Sequence, residues 1–127
     1  MQLSKNFYLK EFESDMGVFP TDVLRNLRRL AKELQLLRDE LGKPIIINSG
    51  YRDLAHNKRV GGATNSYHLR GMAADFYVKD FPIGLIYNRI KKLQAEGKMH
   101  RGGLILYRSR NFIHYDIREK EFEKIVP

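Results

Sequence analysis

Residues 66–75 read Ser-Tyr-His-Leu-Arg-Gly-Met-Ala-Ala-Asp, and residues 112–116 read Phe-Ile-His-Tyr-Asp. These two stretches contain His68, Asp75 and His114, which together offer two imidazoles and one carboxylate. Three nitrogen or oxygen side chains of this kind form the ligand set of a catalytic zinc site, in which a fourth position stays open for water. Zinc makes that water a usable nucleophile near neutral pH. We therefore predict that these three residues bind zinc.

The glycine between the first two predicted ligands determines how the chain around them folds. Gly71 disfavours one continuous helix from His68 to Asp75, because glycine is a poor helix former. We expect instead a loop that carries His68, turns at Gly71 and enters a strand that carries Asp75. His114 is distant in sequence, so we expect it on an adjacent strand.

Hydrophobic periodicity predicts helices and strands in the rest of the chain. Apolar residues repeat at helical spacing over about residues 22–41, which is typical of an amphipathic helix. Residues 44–49 are rich in β-branched side chains, which favour a strand, and we expect this strand to be buried. The further predicted helices cover residues 54–60 and 82–97, and the further predicted strands cover residues 73–78, 104–107 and 112–117. This order predicts a single small α+β domain over residues 1–127, with a mostly antiparallel sheet and flanking helices.

The composition excludes several classes of protein. The chain has 127 residues, no cysteine and a formal net charge of +8. Without cysteine there is no disulfide, no thiolate nucleophile and no cysteine-based zinc site. No apolar run approaches the roughly 18–20 residues of a membrane span, and the N-terminus lacks the apolar segment of a secretory signal. We therefore expect synthesis in the cytoplasm; the alternative is that the chain is a mature or excised domain. The positive charge favours an acidic partner, or it reflects the solvated faces of basic helices.

The pattern Ser66-x-His68-x-x-Gly71-x-Ala73-x-Asp75 resembles the zinc motif of peptidase family M15. This family includes D-Ala-D-Ala carboxypeptidases and L-alanyl-D-glutamate endolysins, and the likeness extends to its phage-type subgroup, subgroup A. The resemblance implies the zinc fold shared by these peptidases and hedgehog signalling domains. It also implies zinc-dependent cleavage of peptidoglycan stem peptides next to a D-amino acid, by a carboxypeptidase or an endopeptidase.

The run Ser49-Gly50-Tyr51-Arg52 also resembles the family. The family's arginine faces the active site and binds the substrate carboxylate or the polarised carbonyl, a role that the resemblance implies for Arg52. Guanidinium suits it, because it is permanently charged and holds a carboxylate with two hydrogen bonds. The alternative is that Arg52 anchors the following loop through Asp53. Tyr51 is expected to line the substrate pocket.

Ser66, at the start of the zinc motif, is expected by resemblance to line the same pocket. The alternative is a turn serine that bonds to nearby backbone. His56 and His100 match no ligand position of the family, and we expect both on the surface.

The proton acceptor is where this sequence departs from the family pattern. Many members have an aspartate or glutamate three residues before the last histidine, and Asn111 occupies that position here. A carboxamide cannot accept the proton, so we predict Asp116, which shares a strand face with His114, as the catalytic base. Two alternatives stay open: Asp116 orients His114 from behind, or it pairs with Arg118.

The expected partner is peptidoglycan, with the domain acting as a monomer at the cell wall, without nucleic acid or membrane. The lack of a signal makes a phage or prophage lysis enzyme a reasonable origin. Asn111 supports one rival interpretation, a non-catalytic, zinc-stabilised cell-wall-binding or virion module. The other rival, a small nucleic-acid-binding protein, depends on the positive charge alone.

Overall fold

A computed structural model of the chain describes residues 1–13 and 19–127. Its helices are α1 (Thr21–Leu41), α2 (Leu54–Arg59) and α3 (Ile83–Ala95), and two short 3-10 helices cover Leu9–Phe12 and Tyr67–Arg70. Its strands are β1 (Gln2–Ser4), β2 (Phe7–Tyr8), β3 (Ile46–Ser49), β4 (Ala73–Tyr77), β5 (Gly103–Tyr107), β6 (Phe112–Asp116) and β7 (Phe122–Val126). The α+β class predicted from the sequence is confirmed.

The main sheet has the strand order β3-β4-β6-β5-β7. The pairs β3–β4, β4–β6 and β5–β6 are antiparallel, and β7 runs parallel to β5 at the edge. Strands β5 and β6 form the hairpin that the sequence predicts. The predicted ligands Asp75 and His114 therefore lie on two central, neighbouring strands, where pairing on both sides holds the backbone in place.

Helix α1 packs against β1 and α3, because its apolar residues repeat every three or four positions. Full burial of one leucine side chain stabilises a fold by about 2 kcal/mol, so the buried stripe of α1 is a major part of the core. The helix ends at Gly42, whose φ of +66° is a left-handed conformation that glycine adopts without steric penalty. The buried residues of the stripe are Val23, Leu27, Leu30, Ala31, Leu34 and Leu37.

The strand predicted over residues 44–49 is shorter and more exposed than expected. Strand β3 lies at an edge of the sheet, and Ile46 is 37% exposed. The prediction that this strand is buried is therefore wrong. β-Branched side chains favour a strand at the edge or in the centre alike, so composition does not give its place in the sheet.

Strand β7 and the hairpin of β1 and β2 were not predicted by periodicity. Strands β1 and β2 have three and two residues, too few for an alternating pattern to stand out, and the five residues of β7 do not alternate between apolar and polar side chains. Within the described ranges, no helix is both long enough and apolar enough to cross a lipid bilayer.

Candidate metal centre

The middle of the sheet brings the three predicted ligands together. Asp75 on β4 lies directly opposite His114 on β6, and opposed residues of an antiparallel pair share a face. His68 lies in the second 3-10 helix, which ends at Gly71 with a φ of +71° before β4 begins. The predicted path of the chain, from a turn at Gly71 into the strand of Asp75, is confirmed.

The candidate ligand atoms of these three residues all lie within 4.8 Å of one another. Asp75 Oδ1 is 2.9 Å from His114 Nδ1 and 3.2 Å from His68 Nε2. The two imidazole rings meet edge to face, with centroids 5.3 Å apart. One carboxylate oxygen and two ring nitrogens therefore face the same small space.

The far nitrogen of each imidazole fixes which nitrogen faces that space. His68 Nδ1 donates to the carbonyl oxygen of Gly50 at 2.8 Å, and His114 Nε2 donates to Asp116 Oδ2 at 2.7 Å. The lone pairs of the neutral rings are thus directed at Asp75 Oδ1. Three electron-pair donors that converge in this way need a cation between them, and two nitrogens with one oxygen fit zinc.

Charge is concentrated at this centre. Burial raises the pKa of Asp75, but hydrogen bonds to His114 and His68 outweigh it and hold that pKa below its usual range. Burial lowers the pKa of His114, but hydrogen bonds to Asp116 and Asp75 outweigh that effect and raise the pKa to about 9. In the metal-free protein the cation between the donors is thus a proton, which a bound metal ion must displace.

We expect the metal-free protein to lose stability as the pH rises from about 6 to about 9.5. The raised pKa of His114, which faces Asp75 and Asp116, contributes stability that is complete below its unfolded value of 6.5 and is lost as the pH passes through about 9. The expected loss is on the order of 3 kcal/mol. Urea unfolding of chelator-treated protein at both pH values measures it. A free energy of unfolding that does not change, or a fall that persists in His114→Ala, contradicts this assignment.

Asp116 lies behind His114, on the side of the ring away from Asp75. Its side chain is fully buried, and its Oδ2 accepts hydrogen bonds from His114 Nε2 and Arg118 Nη2, each at 2.7 Å. Its Oδ1 accepts from Arg118 Nε at 2.8 Å and from the backbone N–H groups of Gly103 and Arg118. Both oxygens are therefore engaged by protein donors, a geometry that supports the two alternatives to the base role.

The electrostatics of Asp116 agree with this geometry. Burial raises the pKa of Asp116, but hydrogen bonds from Arg118 and His114 outweigh it and hold that pKa below its usual range. A carboxylate of such low pKa is a poor proton acceptor.

The absence of a side chain at Gly103 lets β5 approach this carboxylate closely. A Cβ atom at Gly103 would lie 2.2 Å from Asp116 Oδ2.

Arg52 follows β3 and reaches the same centre from the opposite side. Its Nη2 lies 3.3 Å from Asp75 Oδ2, its Nε donates to Ser49 Oγ at 3.0 Å, and its Nη1 donates to Asn57 Oδ1 at 3.2 Å. Burial lowers the pKa of Arg52, and Asp75 opposes that shift. These contacts hold the guanidinium beside the metal ligands, where the resemblance expects it.

Of the two residues expected in the substrate pocket besides Arg52, Ser66 lines the cleft and Tyr51 does not. Ser66 lines the cleft above the centre, and its Oγ also accepts a hydrogen bond from the N–H of His68 at 3.2 Å, so both interpretations of Ser66 apply. Tyr51 is only 8% exposed and packs on Phe19, with ring centroids 5.6 Å apart. Arg52 thus faces the site, whereas Tyr51 faces the core. The structure does not bring Tyr51 to the cleft.

Asn111 lies in the turn between β5 and β6 with a φ of +57°. Asparagine tolerates this left-handed conformation better than most residues, so turn geometry accounts for the amide at this position.

His100 Nε2 donates to the carbonyl oxygen of Arg118, 2.7 Å away, and this histidine lies outside the site. His56 is half-buried and lines a second cavity with Arg52, closer to the centre than expected.

A cleft of about 660 Å³ opens over the metal centre. Among the described residues that line it, Asp75 is the only carboxylate, and neither Asp116 nor Asn111 takes part.

One wall of the cleft, formed by Tyr107, Arg110 and Phe112, was not predicted from the sequence. The rings of Tyr107 and Phe112 stack with centroids 4.4 Å apart, at the paired positions that flank the predicted hairpin turn. The aromatic residues Tyr107 and Phe112, one on each side of the predicted turn, could have indicated this wall from the sequence.

The comparison with known families agrees with the geometry of this centre. The family model described as Peptidase M15 matches residues 4–116. The chain belongs to peptidase family M15. The resemblance in its Ser66–Asp75 and Ser49–Arg52 segments is thereby confirmed, and those segments supply the histidine, carboxylate and arginine side chains described above.

Curated members of the family are similar to parts of this chain. The peptidoglycan L,D-endopeptidase MepK of Escherichia coli (strain K12) is 35% identical over 94 residues, covering 68% of this chain and 48% of MepK. The zinc D-Ala-D-Ala carboxypeptidase of Streptomyces albus G is 50% identical over 44 residues, covering 34% of this chain and 17% of that protein. The chain thus spans about half the length of the MepK relatives that it matches, or less.

Proposed function

We propose that this chain is a zinc-dependent peptidase that cleaves peptidoglycan stem peptides next to a D-amino acid. The observation that carries the proposal is the convergence of His68, Asp75 and His114 within 4.8 Å, beside Arg52, in a member of family M15. The relatives, a peptidoglycan endopeptidase and a zinc carboxypeptidase, support the substrate class and the metal.

The chain's own residues would divide the work as follows. Zinc, when bound by His68, Asp75 and His114, supplies a Lewis acid for the peptide carbonyl and for water. Arg52 binds a substrate carboxylate or stabilises the negative charge that develops on the carbonyl oxygen. Asp116 holds the Nε2–H of His114, so that Nδ1 of this ring stays available as a donor atom.

The shape of the cleft supports an endopeptidase over a carboxypeptidase. A second cavity of about 350 Å³ adjoins the first, and the two share Arg52, Val60, Asp75, Arg110 and Phe112 in their linings. A peptide held in the first cavity therefore has room to continue into the second. A carboxypeptidase needs room on one side only, because its substrate ends just beyond the scissile bond.

We place the site of action at the cell wall, since peptidoglycan is the substrate class of the relatives. We also propose a phage or prophage lysis enzyme as the setting, with the domain acting as a monomer.

One observation favours a second candidate, the non-catalytic cell-wall-binding module. Among the described residues of the cleft lining, no carboxylate other than the ligand Asp75 is placed to accept a proton. A module of this kind would bind zinc and peptidoglycan without cleaving either glycan or peptide.

Mass spectrometry of purified muropeptides decides between the two. The zinc-loaded protein is incubated with the muropeptides beside a chelator-treated sample. New products that disappear with the chelator support the peptidase, and their masses identify the bond. Intact muropeptides in both samples, with one zinc bound per chain in the zinc-loaded sample, support the binding module instead.

Replacing Arg52 with lysine is expected to lower kcat/KM for a stem peptide about 100-fold. Lysine keeps the positive charge but lacks the planar guanidinium group. It therefore cannot donate to Ser49 and Asn57 and contact Asp75 at the same time. Steady-state kinetics on the zinc-loaded variant measure the effect. Arg108→Lys is the matched control, because Arg108 is an exposed residue of the β5–β6 turn outside the cleft lining. Equal kinetics for Arg52→Lys and the control would remove Arg52 from the mechanism.

A further inference from the structure

Arg110 stands at the point where the two lobes of the cleft meet. It lines both the larger and the smaller cavity, as Arg52 also does. A peptide that runs through both lobes therefore passes within reach of two guanidinium groups. The proposed function assigns a substrate group to Arg52 only.

The ring pair of β5 and β6 holds Arg110 in place without using its charge. The guanidinium carbon lies 5.7 Å from the ring centroid of Tyr107 and 5.2 Å from that of Phe112. Contact with aromatic faces orients a guanidinium while its N–H edge stays available to an acceptor. Within the described part of the chain, no carboxylate forms an ion pair with Arg110.

The charge balance of the cleft is strongly positive. Its lining includes the arginines Arg52, Arg70, Arg110 and Arg118, whereas Asp75 is the only carboxylate among the described lining residues. Arg118 is neutralised by Asp116, and Arg52 shares Asp75 with the two histidines. A bound divalent ion would add further positive charge. Such a cleft selects substrates that carry negative charge near the reacting bond.

We propose that Arg110 is a specificity-determining residue that binds a second carboxylate of the substrate, next to the group held by Arg52. The inference depends on the proposed peptidase function and narrows its substrate class. The preferred substrate is a stem peptide with two free carboxylates close to the scissile bond. The same peptide with one of these carboxylates converted to an amide is a poor substrate.

The test compares peptides that differ in one carboxylate. The probes are L-Ala-γ-D-Glu-meso-diaminopimelate-D-Ala and two forms of it, amidated at the D-Glu α-carboxylate or at the side-chain carboxylate of diaminopimelate. Cleavage of each is measured with zinc-loaded wild type, Arg110→Gln and Arg108→Gln. The last variant removes the same charge from the same hairpin turn, outside the cleft lining, and controls for net charge.

We expect the wild type to prefer the free peptide over one amidated form by about 10- to 100-fold in kcat/KM, the range of a hydrogen bond to a charged group. Arg110→Gln should reduce this preference to less than about 3-fold, mainly through a higher KM for the free peptide, and Arg108→Gln should keep it. Cleavage with equal preference in wild type and Arg110→Gln overturns the inference and leaves the peptidase function intact.

Calorimetric binding of the same peptides separates the two proposals if no peptide is cleaved. Absent cleavage counts against the peptidase function. Tighter binding of the free peptide that depends on Arg110, and not on Arg108, still supports the second carboxylate site. Binding that is equal for free and amidated peptides overturns it.

Discussion

Replacing Asp75 with alanine is expected to abolish stoichiometric zinc binding and, with it, all cleavage of stem peptides. Asp75 supplies the only oxygen of the ligand set, and both ligand imidazoles are directed at its Oδ1. Loss of this ligand should weaken zinc by more than the roughly 10- to 100-fold that loss of a supporting partner costs. Competition with a chromophoric chelator measures the affinity, and circular dichroism confirms the fold.

The variant Asp75→Asn is a second test, in case Asp75→Ala loses zinc only because the protein unfolds. The amide keeps the shape of the buried side chain and one acceptor oxygen but removes its negative charge, so the fold has a better chance of persisting than in Asp75→Ala. Asp39→Ala is the control for loss of one carboxylate, since Asp39 lies exposed on α1. Full zinc affinity in folded Asp75→Asn would show that the metal centre is wrongly assigned.

The convergence of His68, Asp75 and His114 could be predicted from the sequence because most of the geometry that brings them together is local. The turn at Gly71 and the start of β4 fix His68 relative to Asp75 within eight residues. His114 needed only one further step, the pairing of β4 with β6. The sequence predicts both strands, and zinc chemistry supplies the reason for them to be neighbours.

Side-chain direction and non-local contacts were harder to predict. Tyr51 is adjacent to Arg52 in the motif, but its side chain faces away from the cleft and joins the core beside Phe19. The place of Arg110 depends on the stacked Tyr107 and Phe112 rings, which meet only once the hairpin register is known. Periodicity gives the elements, whereas the wall of the cleft comes from how they pair.

Replacing Asp116 with asparagine is expected to lower zinc affinity about 10- to 100-fold, the effect of losing a partner that orients a ligand. The reason is that an amide oxygen and an amide nitrogen cannot together accept the donors that surround this side chain. Arg118 and His114 Nε2 would then compete for one oxygen, and Arg118 would keep a partly buried charge without a counterion. The free energy of unfolding should fall by about 3 kcal/mol for the same reason.

The dependence of cleavage on zinc concentration separates this role from that of a catalytic base. If Asp116 orients His114, added zinc should restore much of the lost rate, because the damage is to metal binding. If Asp116 accepts the proton, the variant should bind zinc normally and stay slow at saturating zinc, with the acidic limb of its pH–rate profile altered. Glu121→Gln is the control, since Glu121 pairs with Arg101 at the surface. The full burial of Asp116 and its five protein donors favour the first result.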